Sequence, residues 1–377
     1  MLAPLGFHRS FHTLYLWHWP ILVFSQKFIA ESVVFFVGSQ IGVSPCLAVL
    51  SWRFVEVPLR EKRWLSERRS MLRTSIICMA TLILCGGILS ATKGLRKRLP
   101  EAVRQLTENP PDMDYNPNIE VSLNDLKADR VPIIGSSELP GEPTFVLWGD
   151  SHAMALHPVL DVLGRQHHKK GAVISRRGTA PLVGTWRPAE GRQAFEFHQA
   201  ALDYIRRHQV RTVLLVSFWA VYTEGAASGH TEYSITDDDK LPMNAEACLA
   251  VLERGIVRTI EALRGCGVRR IGILRQVPQQ PIHVKDVLTA RMLAGLSVEH
   301  LGAELGVYEK SQQRLDVIFA GVASDDVSVL DPESYLFGPD GRTILVHRGR
   351  VTFEDQGHLS VEGALLLRPL FESYFTP

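Results

Sequence analysis

Residues 145–158 read F-V-L-W-G-D-S-H-A-M-A-L-H-P. An apolar run stops abruptly at Gly149-Asp150-Ser151-His152, and a helical pattern resumes beyond it. This junction constrains the fold more than any other stretch, because a buried strand that turns straight into a helix is the unit from which parallel α/β sheets are built. It also puts Ser151 at the carboxyl end of a strand and the mouth of a helix. There a hydroxyl projects from the sheet, and the free N–H groups of the helix can face negative charge developing on an attacked carbonyl. Gly-Asp-Ser is ordinary turn chemistry as well, so the motif needs an answer elsewhere in the chain.

From Pro143 onward the pattern alternates. Strand candidates are 144–148, 171–175, 210–217, 268–274 and 327–330, and helical stretches lie between them at 192–208, 246–264, 297–320 and 360–371. In the second of these helices Leu249, Leu252, Ile256, Ile260 and Leu263 recur at helical spacing. Strands alternating with helices imply a parallel sheet covered on both faces. Active sites in such sheets lie beyond the strands' carboxyl ends, where Ser151 falls.

The answer to Ser151 stands near the other end. Residues 353–364 read F-E-D-Q-G-H-L-S-V-E-G-A, with Asp355 three residues before His358 on a loop leading into a final apolar helix that Ser360 is placed to cap. A serine hydroxyl is a poor nucleophile until a base takes its proton, and the base needs an acid to fix its tautomer and stabilise its charged form. Asp355 and His358 supply both from one loop. His152 adjoins the serine, yet neighbours at a helix start point in different directions, so His358 is the expected base. Asp150 is expected to hold the turn by hydrogen bonds rather than to do chemistry.

The N-terminal third has a different character. Three apolar runs, about 11–30, 32–52 and 74–92, each approach the ~20 residues a helix needs to cross a bilayer. Arg53, Arg60, Lys62, Arg63, Arg68, Arg69 and Arg73 crowd between the second and third. The positive-inside rule puts that loop, and with it the N-terminus, in the cytoplasm, and everything after the third helix outside. Residues 94–142, with E-N-P-P-D-M-D-Y-N-P-N, read as a linker without sustained period.

A net charge of +1 offers no general case for nucleic acid. The five cysteines show no C-x-x-C pair and no zinc spacing, and no metal site is expected. Cys248 and Cys266 are candidates for a disulfide if their domain is extracytoplasmic. The acidic run Asp237, Asp238, Asp239 lacks the glycine and distal glutamate of a calcium loop and reads as a solvated loop.

G-D-S-H after the first strand, paired with D-x-x-H-L-S near the C-terminus, resembles the SGNH (GDSL-like) hydrolase and acyltransferase superfamily. L-Y-L-W-H-W-P-I-L-V-F, residues 14–24, and S-W-R-F-V-E-V-P-L-R, residues 51–60, resemble the last membrane segments of the acyltransferase-3 family. The order of the strings is that of a membrane acyltransferase-3 protein with a fused SGNH domain. The resemblance implies a three-layer α/β/α SGNH-hydrolase-like domain with a central parallel sheet at 143–377, a linker at 94–142, and a partial membrane region at 1–93 with about three transmembrane helices. It implies a bacterial inner-membrane location with the C-terminal domain periplasmic.

By the same resemblance Ser151, His358 and Asp355 form a triad, and the Gly178 N–H joins that of Ser151 at an oxyanion. The superfamily's third block, G-x-N-D, is replaced here by V-S-F-W-A-V-Y, residues 216–222. With no asparagine donor, Trp219 is expected to shape the pocket. The implied activity is O-acyl transfer, acetyl above all, through an acyl-serine to a hydroxyl of a cell-envelope glycan such as lipopolysaccharide O-antigen or peptidoglycan. Alternatives are an SGNH carbohydrate esterase and a non-catalytic membrane-anchored glycan-binding subunit. The family's acetyl donor is ultimately acetyl-CoA, with no cofactor bound by the SGNH domain itself. Its early catalytic membrane helices do not precede these strings, so a truncated remnant, a misplaced gene start, or a separate polypeptide supplying those helices is a further expectation.

Overall fold

The computed structural model describes residues 11–28, 38–61, 67–92, 94, 98–110, 113, 115, 119–188, 191–228, 234–238 and 244–376. The chain divides into two compact units, Met1–Leu106 with Asp286–Val298, and Thr107–Lys285 with Glu299–Pro377.

In the first unit, α1 (Phe11–Phe28) carries Pro20 in its interior. Two helices are long and apolar enough to cross a membrane, α2 (Ile41–Arg60) and α3 (Arg68–Ala91). Three were expected, and among the described residues α1 does not meet that test. The span expected at 32–52 is displaced: residues 32–37 lie outside the described residues, and the helix runs on to Arg60 through π-type turns. Its charges do not stop it, because Arg60 pairs with Glu56 one turn away at 3.5 Å and Thr13 of α1 donates to Glu56 at 2.9 Å. No residue of α3 is buried, and Leu82 and Ile83 are both 72% exposed.

The second unit is built on a sheet of six strands: β1 (Ile133–Gly135), β2 (Phe145–Gly149), β3 (Lys170–Ser175), β4 (Thr212–Val216), β5 (Arg270–Leu274) and β6 (Val327–Leu330), in the order β1-β3-β2-β4-β5-β6. All neighbours are parallel except β1 against β3. Buried on both faces, the central strands are apolar throughout. Val146 and Trp148 join one core with α6 (Gln193–Arg207), α7 (Trp219–Ser228), α8 (Ala245–Gly265) and α9 (Leu305–Val322). The opposite face is covered by α5 (Ser151–Gln166), against which α10 (Val361–Leu366) packs.

Three expectations need correction. Residues 94–142 are not a structureless linker: they hold a short helix at Glu101–Thr107, α4 (Leu123–Lys127) and β1, with Leu126 and Ile134 buried. The edge of β3 offers unpaired backbone groups, and Ile133–Gly135 satisfies them antiparallel. The helix expected from 297 begins at Leu305, because the Ala303 N–H is taken by Thr343 Oγ1 and Gln280 Oε1 and Glu304 bridges to Arg342. Cys248 and Cys266 are buried free thiols. They stand near opposite ends of the same helix, α8, separated by roughly 27 Å at 1.5 Å per residue, so no bridge between them is geometrically open.

Candidate active site

After the edge strand β1 the chain lays down β2, winds one way to β3, and crosses back to β4 on the other side. The carboxyl end of β2 is therefore the point where the winding reverses, the place where ligands bind in open α/β sheets. Gly149 ends the strand there. A Cβ on it would stand 1.7 Å from the Val216 carbonyl oxygen, so only glycine lets β2 and β4 approach this closely.

Asp150 follows as the N-cap of α5 and is 1% exposed. One carboxylate oxygen accepts from the His152 N–H at 2.9 Å. The other accepts from Ser217 Oγ at 2.7 Å, the Phe218 N–H at 2.9 Å and the Tyr222 hydroxyl at 2.9 Å. The block that lacks the superfamily's asparagine thus has its own work: its residues hold the carboxylate that holds the turn. Burial and the Asp150 charge raise the Tyr222 phenol well above its ordinary pKa, so it stays a donor.

Ser151 opens α5, and its Oγ lies 2.8 Å from His358 Nε2. His358 Nδ1 lies 2.7 Å from Asp355 Oδ2, while Asp355 Oδ1 accepts the N–H groups of Gly357 and His358, each at 2.8 Å. The structure thus brings together three residues separated by some two hundred positions. The loop is closed on itself by the Glu354 N–H donating to the His358 carbonyl, and Ser360 caps α10 by accepting the Gly363 N–H. Its far side is tied down as well, with the Gln280 N–H donating to the Gln356 carbonyl at 2.6 Å.

The electrostatics agree with the hydrogen bonds. The bond to Asp355 raises the His358 pKa against the opposing effect of burial, with the more distant Arg177 working the other way. Burial alone would raise Asp355, but the His358 side chain and the two backbone N–H groups hold its carboxyl well below the usual range. A carboxylate that stays charged can orient the imidazole and stabilise its protonated form.

His152 has the opposite environment. It is buried between Phe218 and His358, with ring centroids 4.9 and 4.8 Å away, and its Nε2 has no hydrogen-bond partner among the described residues. Burial lowers its pKa to about 4, leaving a neutral ring that packs against the base.

Gly178 lies in the loop after β3, which starts beside the turn: the Arg176 N–H donates to the Gly149 carbonyl at 3.1 Å. Its φ of +61° is one that glycine adopts without strain. Trp219 is placed differently from expectation. It is 0% exposed, donates its indole N–H to the Leu274 carbonyl at 2.8 Å and packs edge-on against Phe319. With its one donor satisfied inside the core, it lies beneath the site and forms no part of an open pocket wall. Sequence reasoning missed Ser217 and Tyr222. A serine directly after a strand and a tyrosine one helical turn beyond Phe218 were the available signal. Asp237 is neutralised by Arg254 and Arg258, at 2.7 and 2.9 Å, and Asp239 lies outside the described residues.

Residues 119–373 match the family described as the SGNH domain fused to AT3 domains. The O-acetyltransferase OatA of Staphylococcus aureus (strain MRSA252) is 29% identical over 79 residues, which cover 19% of this chain and 13% of that protein, so the match spans only a small part of the relative. Among solved structures, the periplasmic domain of a lipopolysaccharide acetyltransferase from Salmonella ser. Paratyphi A aligns with a TM-score of 0.47 and 15% identity, over 68% of this chain and 91% of that one.

Proposed function

The chain belongs to the family of SGNH domains fused to AT3 domains, and on that premise we propose that it is an O-acyltransferase that moves an acyl group, acetyl first among candidates, to a sugar hydroxyl of a cell-envelope glycan. The observation that carries this reading is the continuous chain of contacts from Ser151 through His358 to Asp355. The partial likeness to an O-acetyltransferase points the same way.

In this reading Ser151 Oγ attacks the acyl carbonyl as its proton passes to His358 Nε2. The carbonyl π pair moves onto oxygen, where the Ser151 N–H at the mouth of α5 and the Gly178 N–H face it. The donor's leaving group departs with the proton from His358, leaving an acyl-serine. A sugar hydroxyl then gives its proton to His358 and attacks the acyl carbon, and Ser151 leaves with that proton. Asp355 keeps its charge throughout.

The two long apolar helices support a membrane-anchored protein. Arg68, Arg69 and Arg73 at the start of α3 favour a cytoplasmic location for that end, which carries the second unit to the outer side. The donor of the acyl group is, on this reading, acetyl-CoA at one remove, used as a substrate through the acyltransferase-3 chemistry of the membrane.

The test is acyl transfer by the detergent-solubilised chain from an activated acetyl ester, with and without an envelope oligosaccharide. Acceptor-dependent transfer that is lost in Ser151→Ala supports the transferase. Ser151-dependent release of acetate that ignores the acceptor would replace it with a carbohydrate esterase. Turnover that survives in Ser151→Ala would remove the serine mechanism altogether.

A further inference from the structure

Losing one oxyanion donor costs on the order of 100-fold or more in rate. The segment 216–222 carries no asparagine; Ser217 Oγ, the Phe218 N–H and the Tyr222 hydroxyl donate to Asp150, the Trp219 indole to the Leu274 carbonyl and the Ala220 N–H to Gln276 Oε1. If the serine acts as the proposed function has it, charge on the attacked carbonyl oxygen must be met by something other than that block.

One cationic side chain lies against the loop that follows β3. A Cβ built on Gly178 would lie 2.9 Å from Arg187 Nη2 and 3.1 Å from its Cζ, so the guanidinium lies against the glycine to which the proposed function gives an oxyanion N–H. The arginine is also close enough to the Tyr222–Asp150 pair for its charge to be felt at the phenol. Its backbone is held firmly. Thr185 Oγ1 donates to the Leu182 carbonyl at 2.9 Å, and Trp186 exchanges hydrogen bonds with Thr236 at 3.0 and 2.9 Å. A partly buried, always protonated, planar donor fork beside the turn is suited to an oxygen that becomes negative only during reaction.

We propose that Arg187 is an oxyanion-stabilising residue of this site, its guanidinium taking the place of the asparagine donor that the chain lacks and acting with the N–H groups of Ser151 and Gly178. The proposal rests on the acyl-serine reading. During acylation the Ser151 Oγ–C bond forms, the serine proton goes to His358, and the carbonyl electron pair moves to oxygen beside the guanidinium. Arg187 forms no covalent bond and keeps its protons. The absence of Cβ at Gly178 follows from the same arrangement, because any side chain there would push the guanidinium away from the turn.

The experiment uses the full chain in detergent and 4-nitrophenyl acetate, measuring the single-turnover acylation rate for wild type, Arg187→Ala, Arg187→Gln and Ser151→Ala, each with and without added guanidinium chloride at millimolar concentration. Arg187→Ala is expected to acylate about 100-fold more slowly with KM changed less than threefold. Guanidinium is expected to restore at least tenfold of that loss, while leaving wild type and Ser151→Ala unchanged. Arg187→Gln, which keeps most of the volume, should show the same slow acylation at an unchanged melting temperature. Acylation within threefold of wild type in both Arg187 variants, with Ser151→Ala inert, overturns this proposal and leaves the serine mechanism standing. A loss that guanidinium fails to reverse assigns Arg187 a structural role and overturns it too. Acylation persisting in Ser151→Ala fails the proposed function itself.

Discussion

The substitution Asp150→Ala tests whether the turn before the nucleophile is held by one buried carboxylate. In the native state that carboxylate accepts four hydrogen bonds, from Ser217, Phe218, Tyr222 and His152. Removing it strands donors where the side chain is 1% exposed and Tyr222 is fully buried, so water cannot readily take its place. Each buried donor left unsatisfied costs about 1–3 kcal/mol. The gain from no longer burying a charge offsets part of the sum, since breaking a buried charged network by deleting one member costs about 3–5 kcal/mol in practice. We therefore expect a loss of at least about 3 kcal/mol in the second unit. Asn244→Ala is the comparison: it deletes a single helix cap, the acceptor of the Ala247 N–H at 2.9 Å, and should cost about 1 kcal/mol. The assay is hydrogen–deuterium exchange of peptides spanning β2 and β4 in the full chain, read at the slowest, globally opening amides, so that unit 2 is measured by itself. If Asp150→Ala costs no more than Asn244→Ala, the four-donor account of the turn is wrong, and Asp150 is an ordinary N-cap.

Other predictions follow from the same geometry. Ser151→Ala should abolish covalent labelling by a fluorophosphonate probe while leaving the exchange pattern of β2 and β4 unchanged. Because the Asp355 bond raises the His358 pKa, the acid limb of kcat/KM should fall off at a pH above the ordinary histidine value, and Asp355→Asn should move that limb to lower pH while reducing kcat; an unmoved limb would detach Asp355 from the base. Gly149→Ala should destabilise unit 2 by several kcal/mol, on the order of the larger core substitutions, since its Cβ would meet the Val216 carbonyl at 1.7 Å; near-wild-type stability would refute the close approach of β2 and β4. Burial lowers both His152 and His198 to a pKa of about 4, so each takes up a proton on unfolding but not in the fold. Stability should therefore fall by roughly 1 kcal/mol per pH unit for each histidine as pH drops from about 6.5 towards 4, and His198→Gln should flatten that slope in urea titrations.

The legible parts of this chain are those where one local pattern answers one physical demand. The strands at 144–148 and 171–175 are visible because burial on both faces demands a continuous apolar run, and β2 and β3 lie there; β6 lies at 327–330 as an edge strand with Ser328 exposed. Ser151, Asp355 and His358 were visible because a buried strand ending in Gly-Asp-Ser and a distant Asp-x-x-His loop have few joint uses. β1 was illegible: three residues, Ile-Ile-Gly, carry no period, and only the open edge of β3 makes them a strand. The end of α2 departs from the sequence reading for a related reason, since Glu56 and Arg60 look like a loop in sequence and become tolerable through partners one turn away and on α1.

Trp219 shows how a departure from a family pattern can mislead. Its place in the string suggested a pocket wall, yet its indole N–H is spent on the Leu274 carbonyl and its ring on Phe319. What distinguishes the block is the set of residues around the tryptophan. Ser217, Phe218 and Tyr222 all turn toward Asp150, so the segment fixes the nucleophile's turn from behind. On the proposed reading the remaining electrostatic stabilisation comes from outside the third block, and the loop after β3, where Gly178 and Arg187 are in contact, is where we place it. Activity and fold should accordingly separate: changes at Arg187 are expected to slow acylation at constant stability, whereas changes at Asp150, Ser217 or Tyr222 should lower both together.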